Sequence, residues 1–226
     1  MIRNTLNQCS RVILMGLAVL SLPAWSVQHD ANPTQTSLSQ LGQQLQVGDV
    51  VFIRIPKAPF TKVADSTLSW TNHVGIVTDV SGKEPVVSES RVPVSGDTTW
   101  SKFVKRSDHG RVAVTRLATP LDQQQQDKLK TAISARQGIL YDTGFDLNSK
   151  RQFCSRYVRE VLHESVGVQL GEVEDFTTLL KRNPQADQQF WKMWYFGDIP
   201  WERKTVTPAS LLNDAKLHVV FDGNAQ

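Results

Sequence analysis

The segment RQFCSRYVREVL, residues 151–162, carries Cys154, one of two cysteines in a chain of 226 residues. Apolar residues at helical spacing predict an amphipathic helix that begins at Cys154 and ends near Ser165. A thiol in the first turn of a helix lies beside free backbone N–H groups and the positive end of the helix dipole, which lower its pKa. Arg151 and Arg156 add positive charge nearby. The pattern predicts a reactive thiolate, and an inert buried cysteine is the alternative.

A cysteine hydrolase also needs a general base, and four of the five histidines are poor candidates for it. His163 follows Cys154 by nine residues, which places it half a turn out of phase and about 13 Å along the helix axis, out of reach of the thiol. His29 lies in a polar leader and His109 in a predicted exposed turn. His218 lies in an apolar strand, where we expect a packed side chain. The search for a base therefore moves to the remaining histidine.

His73 opens the strand-like segment NHVGIV, beside Gly75, which has no side chain to block access. A purely structural histidine is the alternative at this position. Alternating and helical apolar periods predict the other elements. The predicted strands cover residues 50–55, 72–80, 84–90, 111–117 and 216–222, and the predicted helices cover residues 121–138, 154–165, 175–182 and 207–214. Strands fill the first half and helices the second, so the predicted class is α+β.

Residues 1–26 have the pattern of a signal peptide. Arg3 and Arg11 precede an apolar run of 11 residues, and the small residues that follow predict cleavage after Ser26. The run is about half of the ~20 residues that cross a bilayer as a helix. We therefore expect a periplasmic or secreted protein without a membrane span, in which Cys154 is the only thiol left.

Residues 27–46 are rich in Gln, Ser and Thr and predict a flexible leader, which a single domain over residues 47–226 follows. The formal net charge is +3 at pH 7 without a basic stripe, which disfavours a nucleic-acid partner. No cluster of His, Cys and Asp has the spacing of metal ligands, so neither a metal nor another cofactor is expected. The sequence leaves the oligomeric state open.

Five motifs in one order carry a resemblance to a known family. They are GDVVFIRI, NHVGIV with VVSES, YDTGF, FCSRYV and TPASLL. Together they resemble the circularly permuted branch of the NlpC-type papain-fold cysteine hydrolases, the YaeF/YiiX/YebB-like group, in which the histidine and the acid precede the cysteine. The resemblance covers about residues 48–221. It implies a permuted papain-like fold with an antiparallel sheet packed against helices.

The resemblance also implies roles for individual residues. Cys154 is similar to the family's nucleophile and His73 to its general base. Glu89 corresponds to the group that orients the imidazole, and Tyr141 to a hydroxyl near the oxyanion. These roles are those of a thiol hydrolase that works through an acyl-enzyme. A packed aromatic remains the alternative for Tyr141, and a solvated strand carboxylate for Glu89.

Strand register gives a test of the role of Glu89. A two-residue turn at residues 82–83 points its carboxylate away from His73, because a shift of one residue moves a side chain to the other face. A three-residue loop sets Glu89 opposite Gly75, on the face of His73. We therefore predict an odd loop or a bulge between these strands. Asp79, which shares the His73 face under simple alternation, is the alternative partner.

The resemblance implies a cysteine hydrolase that cleaves an amide bond through a thioester. Its first expected substrate is a peptidoglycan stem peptide. A lipid-directed thioesterase, amidase or acyltransferase is the alternative, and a non-catalytic cell-wall binding module is a second one. The aromatic run at residues 190–201 predicts core or a cover over the second half of the chain. If it lines a groove, it favours an apolar acyl chain.

Overall fold

The structure is a computed structural model, and it describes residues 36–226, all of which lie in one compact unit. The predicted signal peptide and its cleavage after Ser26 lie outside the described residues. Within residues 36–226, no helix combines the length and the apolar character that a membrane crossing requires.

Strands and helices of the described residues build an α+β fold. The strands are β1 (Val50–Ile53), β2 (His73–Asp79), β3 (Val86–Glu89), β4 (Gly96–Thr99), β5 (Arg111–Leu117), β6 (Glu174–Asp175), β7 (Lys204–Thr205) and β8 (Leu217–Asn224). The helices are α1 (Leu38–Gly42), α2 (Phe60–Ser66), α3 (Trp100–Val104), α4 (Gln123–Ser134), α5 (Cys154–Val166), α6 (Phe176–Arg182), α7 (Gln188–Trp194) and α8 (Pro208–Leu212).

Six strands form one antiparallel sheet in the order β4-β3-β2-β1-β5-β8, and β6 pairs with β7 separately. Strand β1 is buried on both faces. Val50 and Phe52 belong to a core that includes much of α5, which we call the α5 core. Val51 and Ile53 point the other way, into a core that includes Phe103, which we call the α3 core. The sheet is thus covered by helices on both sides.

Capping signals fix several helix ends as predicted. Helix α5 ends at Gly167, whose φ of 73° is a left-handed conformation that favours glycine. Helix α8 begins after Thr207, whose side chain accepts a hydrogen bond from the backbone N–H of Ser210. Helix α4 differs, because it ends at Ser134, four residues before the predicted Gly138.

The prediction of a flexible leader over residues 27–46 is wrong for its last residues. Residues 38–42 form α1, and Leu41 and Leu45 are buried in the α3 core. The indole of Trp100 donates a hydrogen bond to the carbonyl of Leu38 at 3.0 Å. The stretch holds Leu38, Leu41 and Leu45 at the helical spacing i, i+3, i+7, a signal that its Gln-rich and Ser-rich composition outweighed in the prediction.

Strand β8 corrects a second expectation. It covers the predicted segment, yet it lies at the edge of the sheet and His218 is exposed, not packed. His109 is exposed with a φ of 49°, as the predicted turn requires.

Candidate active site

Helix α5 begins at Cys154, as predicted, and directs this residue into the α5 core. The side chain of the preceding residue, Phe153, makes no capping hydrogen bond to the first turn. The backbone N–H groups of that turn are thus not satisfied by a side-chain cap. Cys154 is buried and free of any disulfide.

His73 opens β2 and is buried between aromatic rings. Its ring centroid lies 6.2 Å from that of Phe60 and 5.9 Å from that of Phe103. Its Nε2 atom lies 2.5 Å from Oε2 of Glu89, which is fully buried. The Nδ1 atom is buried and makes no hydrogen bond among the described residues. Because His73 and Cys154 interact directly, this nitrogen is available to exchange a proton with the thiol.

Strands β2 and β3 contain the predicted irregularity. Val77 pairs with Val87, but Asp79 pairs with Val86, so Thr78 is an extra residue on β2. An extra residue of this kind is a β-bulge, and it shifts the register by one. The prediction of an odd loop or a bulge is confirmed.

Beyond the bulge the strands keep one register. Ile76 pairs with Ser88, and one further step along both strands sets Glu89 opposite Gly75, next to His73. Gly75 is needed for the close approach of these strands, because a Cβ atom there would lie 2.6 Å from Cγ1 of Val87. The register therefore brings the carboxylate to the imidazole.

Asp79, the alternative acid, lies elsewhere. Its Oδ1 atom accepts hydrogen bonds from the backbone N–H and the hydroxyl of Ser81, at 2.8 and 2.7 Å. It belongs to the hairpin end of β2, and its carboxylate serves that turn. The structure places Glu89, not Asp79, against His73.

Tyr141 reaches the sulfur from a third direction. Its hydroxyl donates to Sγ of Cys154 at 3.9 Å, and its ring stands edge-on to Phe60 at 6.2 Å between centroids. An isolated bridge to Gln152 fixes its backbone beside the segment that leads into α5. The structure thus brings together all four residues that the sequence singled out.

Two arginines at the site were missed by sequence reasoning. Nη2 of Arg106 donates to both carboxylate oxygens of Glu89, at 2.7 and 2.8 Å. Nη1 of Arg91 lies 3.8 Å from Oε1 of the same residue. Neither arginine stands in a motif. Arg106 reaches Glu89 because it follows α3, which packs against β3, and Arg91 reaches it because it lies just after the end of β3. No local signal predicts that contact.

Charges at the site favour a thiolate beside an imidazolium. Burial raises the pKa of the Cys154 thiol, but the charge of His73 and polar contacts to the sulfur outweigh burial and lower it below its ordinary value. Burial alone lowers the pKa of His73, but the charges of Cys154 and Glu89 raise it to about 9. Burial raises the pKa of Glu89, but His73 and Arg106 outweigh burial and lower this pKa below the usual range.

The hydroxyl of Tyr141 stays protonated in this environment. Burial and the charge of Cys154 raise its pKa well above the ordinary value for tyrosine. A neutral hydroxyl beside the sulfur can donate a hydrogen bond to negative charge that develops there.

A small cavity of about 40 Å³ opens beside Cys154. None of its lining residues is charged, and much of the wall is aromatic or aliphatic. The aromatic and aliphatic residues of the wall include Phe145, Phe153, Phe176, Leu179, Leu180 and Trp191.

The aromatic run at residues 190–201 divides between the cavity and the surface. Trp191, in α7, lines the cavity and donates from its indole to the hydroxyl of Ser66 at 2.9 Å. Phe196, just beyond α7, is fully exposed. The prediction of a core or cover segment therefore holds for Trp191 and not for Phe196.

A histidine strand, an acid strand and a later cysteine helix define a papain-like cysteine hydrolase with a permuted chain order. The chain belongs to the family of permuted papain-like amidase enzymes described as YaeF/YiiX, C92, whose model matches residues 44–221. The family, the fold class and the enzyme class predicted from the sequence are confirmed.

Relatives from Escherichia coli support this assignment. The chain is 27% identical over 185 residues to a protein of strain K12 named uncharacterized protein YiiX, covering 81% of this chain and 90% of that protein. The crystal structure of metalloprotein yiiX from strain O157:H7 matches with a TM-score of 0.72 and 27% identity, covering 79% of this chain and 98% of that one. Among residues 36–226 of this chain, no group of three or more His, Cys, Asp and Glu side chains is placed to hold a metal ion.

Proposed function

We propose that this protein is a cysteine amidase that works through a thioester on Cys154, with His73 as proton carrier and Glu89 as the group that orients it. The observation that carries the proposal is the buried contact between His73 and Glu89 at 2.5 Å, beside a cysteine at a helix start. Such a chain of contacts is how a thiol nucleophile is activated.

The reaction follows from these positions. The sulfur of Cys154 attacks the carbonyl carbon of the amide, and the electron pair of the C=O bond moves to oxygen. The oxyanion accepts hydrogen bonds from the backbone N–H of Cys154 and the hydroxyl of Tyr141. His73 gives its proton to the leaving nitrogen as the C–N bond breaks. Water, which loses a proton to His73, then attacks the thioester, and the C–S bond breaks to release a carboxylic acid and the Cys154 thiolate beside the imidazolium.

The cavity beside Cys154 suits a small apolar group next to the scissile carbonyl. Its volume of about 40 Å³ is far below the roughly 300–1,000 Å³ of pockets that bury a large apolar ligand. The description of the family as amidases favours a peptide amide. We therefore place a stem-peptide peptidase first and an acyl-lipid amidase or thioesterase second. The signal-peptide pattern of residues 1–26 supports action in the periplasm or outside the cell.

Parallel digests test the substrate. Purified wall fragments and N-acylated lipids are incubated with the protein and with Cys154→Ala. We expect new amino termini from stem peptides with the unchanged protein only, and an acyl adduct on Cys154 in its mass spectrum. Release of fatty acid from lipid, without new amino termini from stem peptides, would reverse the order of the two substrates.

A thiol-directed probe tests whether the site is catalytic at all. We expect Cys154 to react in the folded protein much faster than a free thiol of ordinary pKa does at pH 6, because its thiolate is stabilised. No labelling at that pH, with no cleavage of either substrate, would favour a non-catalytic wall-binding module.

A further inference from the structure

Glu89 is a fully buried carboxylate, and such a group is costly unless it is paired. His73 supplies one partner, through Nε2. A single imidazole can share its proton with the carboxylate and leave both groups neutral. A second, permanent positive charge is needed to keep Glu89 ionised.

Arg106 supplies that charge in a fixed position. Its Nη2 atom donates to both oxygens of Glu89, and its guanidinium lies 5.1 Å from the ring centroid of Phe103. The ring of Phe103 in turn stacks at a tilt beside the imidazole of His73, 5.9 Å away. Arg106 thus contacts the acid directly and shares a ring with the base.

We propose that Arg106 is a positioning residue of the active site, which holds Glu89 as a carboxylate against His73 and so keeps the proton on the imidazole. This role rests on the proposed cysteine-hydrolase mechanism and adds a positioning residue behind the nucleophile, base and acid. An arginine suits it, because its guanidinium stays charged at every pH at which the enzyme works.

Few other ionisable groups face this carboxylate. Arg91, at the end of β3, is 3.8 Å from Oε1 and makes no hydrogen bond to it through Nη1. Tyr157, from α5, lies near Glu89 as a neutral hydroxyl, because burial and then the charge of Asp97 raise the pKa of that tyrosine above its usual range. The direct hydrogen bonds to Glu89 therefore come from His73 and Arg106.

Removal of the Arg106 charge has a defined direction. The pKa of the buried Glu89 rises, so its carboxylate supports the imidazolium less and the pKa of His73 falls. With less positive charge on His73, the pKa of the Cys154 thiol rises. A neighbouring charge at hydrogen-bond distance shifts a pKa by about 1–3 units, and we expect about one unit to reach the thiol.

The experiment follows the thiolate by its ultraviolet absorbance as a function of pH, with Cys154→Ala as the blank. In Arg106→Gln we expect the midpoint of thiolate formation to rise by about one pH unit, a tenfold change in thiol acidity. In Arg106→Lys, which keeps the charge, we expect a midpoint close to that of the unchanged protein. No substrate is involved, so the outcome is independent of which acyl group the enzyme cleaves.

Arg116 offers a matched control, because it forms a similar pair with the fully buried Asp49, at 2.6 Å. Arg116→Gln is expected to lower stability without moving the thiolate midpoint. Equal midpoints in folded Arg106→Gln and the unchanged protein would overturn the proposal. If the glutamine variant did not fold, an unshifted midpoint in folded Arg106→Met would overturn it instead. An ordinary thiol midpoint in the unchanged protein would instead overturn the proposed function.

Discussion

The imidazole of His73 interacts with two groups that carry negative charge, the carboxylate of Glu89 at Nε2 and the sulfur of Cys154. Both favour its protonated form, and the pKa of His73 is raised to about 9 although burial alone lowers it. The same charge lowers the pKa of Cys154. Between these two values the site holds a thiolate and an imidazolium together.

The pH dependence of amidase activity follows from this pair. As pH rises, activity increases while Cys154 loses its proton, at a pH below the ordinary thiol range. Activity falls again near pH 9, where His73 loses the proton that the leaving group needs. The measurement is kcat/KM against pH. A profile that keeps rising through pH 9 would contradict the assignment, and Glu89→Gln should move the falling limb to lower pH.

The sequence predicted Cys154, His73, Glu89 and Tyr141, because each stands in a motif and the helix phase excludes His163. It could not predict Arg106. The contact of Arg106 with Glu89 joins residues on separate elements, and an arginine between α3 and β5 has no local feature that distinguishes it from a solvated one.

A local irregularity in the pairing of β2 and β3 sets the position of the acid, Glu89. The bulge at Thr78 changes the register by one residue, and a change of one residue decides which face a side chain takes. Gly75 allows the two strands to approach where Glu89 must meet His73. The pairing of β2 with β3, and not Glu89 alone, therefore determines the geometry of the acid and base.

Replacement of Gly75 by alanine tests this dependence. The added Cβ would lie 2.6 Å from Cγ1 of Val87 and 3.1 Å from the ring of Phe103. We expect a loss of about 1–3 kcal/mol in the free energy of unfolding, as for overpacked cores, and a higher thiol pKa because the carboxylate moves away. Denaturant unfolding and the thiolate titration measure these effects.

The matched control is Gly82→Ala in the hairpin end of the same pair of strands. A Cβ there meets only the carbonyl of Glu84, at 3.7 Å, which is ordinary contact. This variant should leave stability within about 0.5 kcal/mol and the titration unchanged. Equal effects of the two substitutions would show that the strand spacing at Gly75 is not important.

Long or well-capped elements were predictable and short ones were not. Strand β5 has the predicted bounds, and α8 has the predicted cap and first-turn proline. Helix α2 has seven residues and no side-chain cap, and α7, also of seven residues, overlaps the aromatic run, in which neighbouring aromatic residues hide a helical period. They are joined by the hydrogen bond from Trp191 to Ser66, a contact across 125 residues that no window of sequence contains.

One face of the sheet is covered in part by a segment that looks like a polar leader in the sequence. Leu41 and Leu45 complete the α3 core, and the Trp100 indole bonds to the backbone of α1. This core also contains Phe103, the ring that packs beside His73. The N-terminal part of the described chain thus supports the face on which the acid and base lie.

Leu41→Ala tests whether α1 belongs to the folded domain. Removal of a fully buried leucine side chain is expected to lower the free energy of unfolding by about 2–5 kcal/mol. The neighbouring Gln40 is exposed, and Gln40→Ala should change stability by less than about 0.5 kcal/mol. Thermal and urea unfolding distinguish the two, and equal stabilities would support a flexible leader.

The described chain also returns to its own beginning. Thr36 forms a parallel bridge with Ala225, and the backbone N–H of Leu38 donates to the carbonyl of Gln226 at 2.9 Å. A short peptide could join these segments, and new ends could be opened in the exposed residues 118–120. The rearranged gene would then encode the cysteine helix before the histidine strand, so the chain order that sets this family apart could be reversed without moving a catalytic atom.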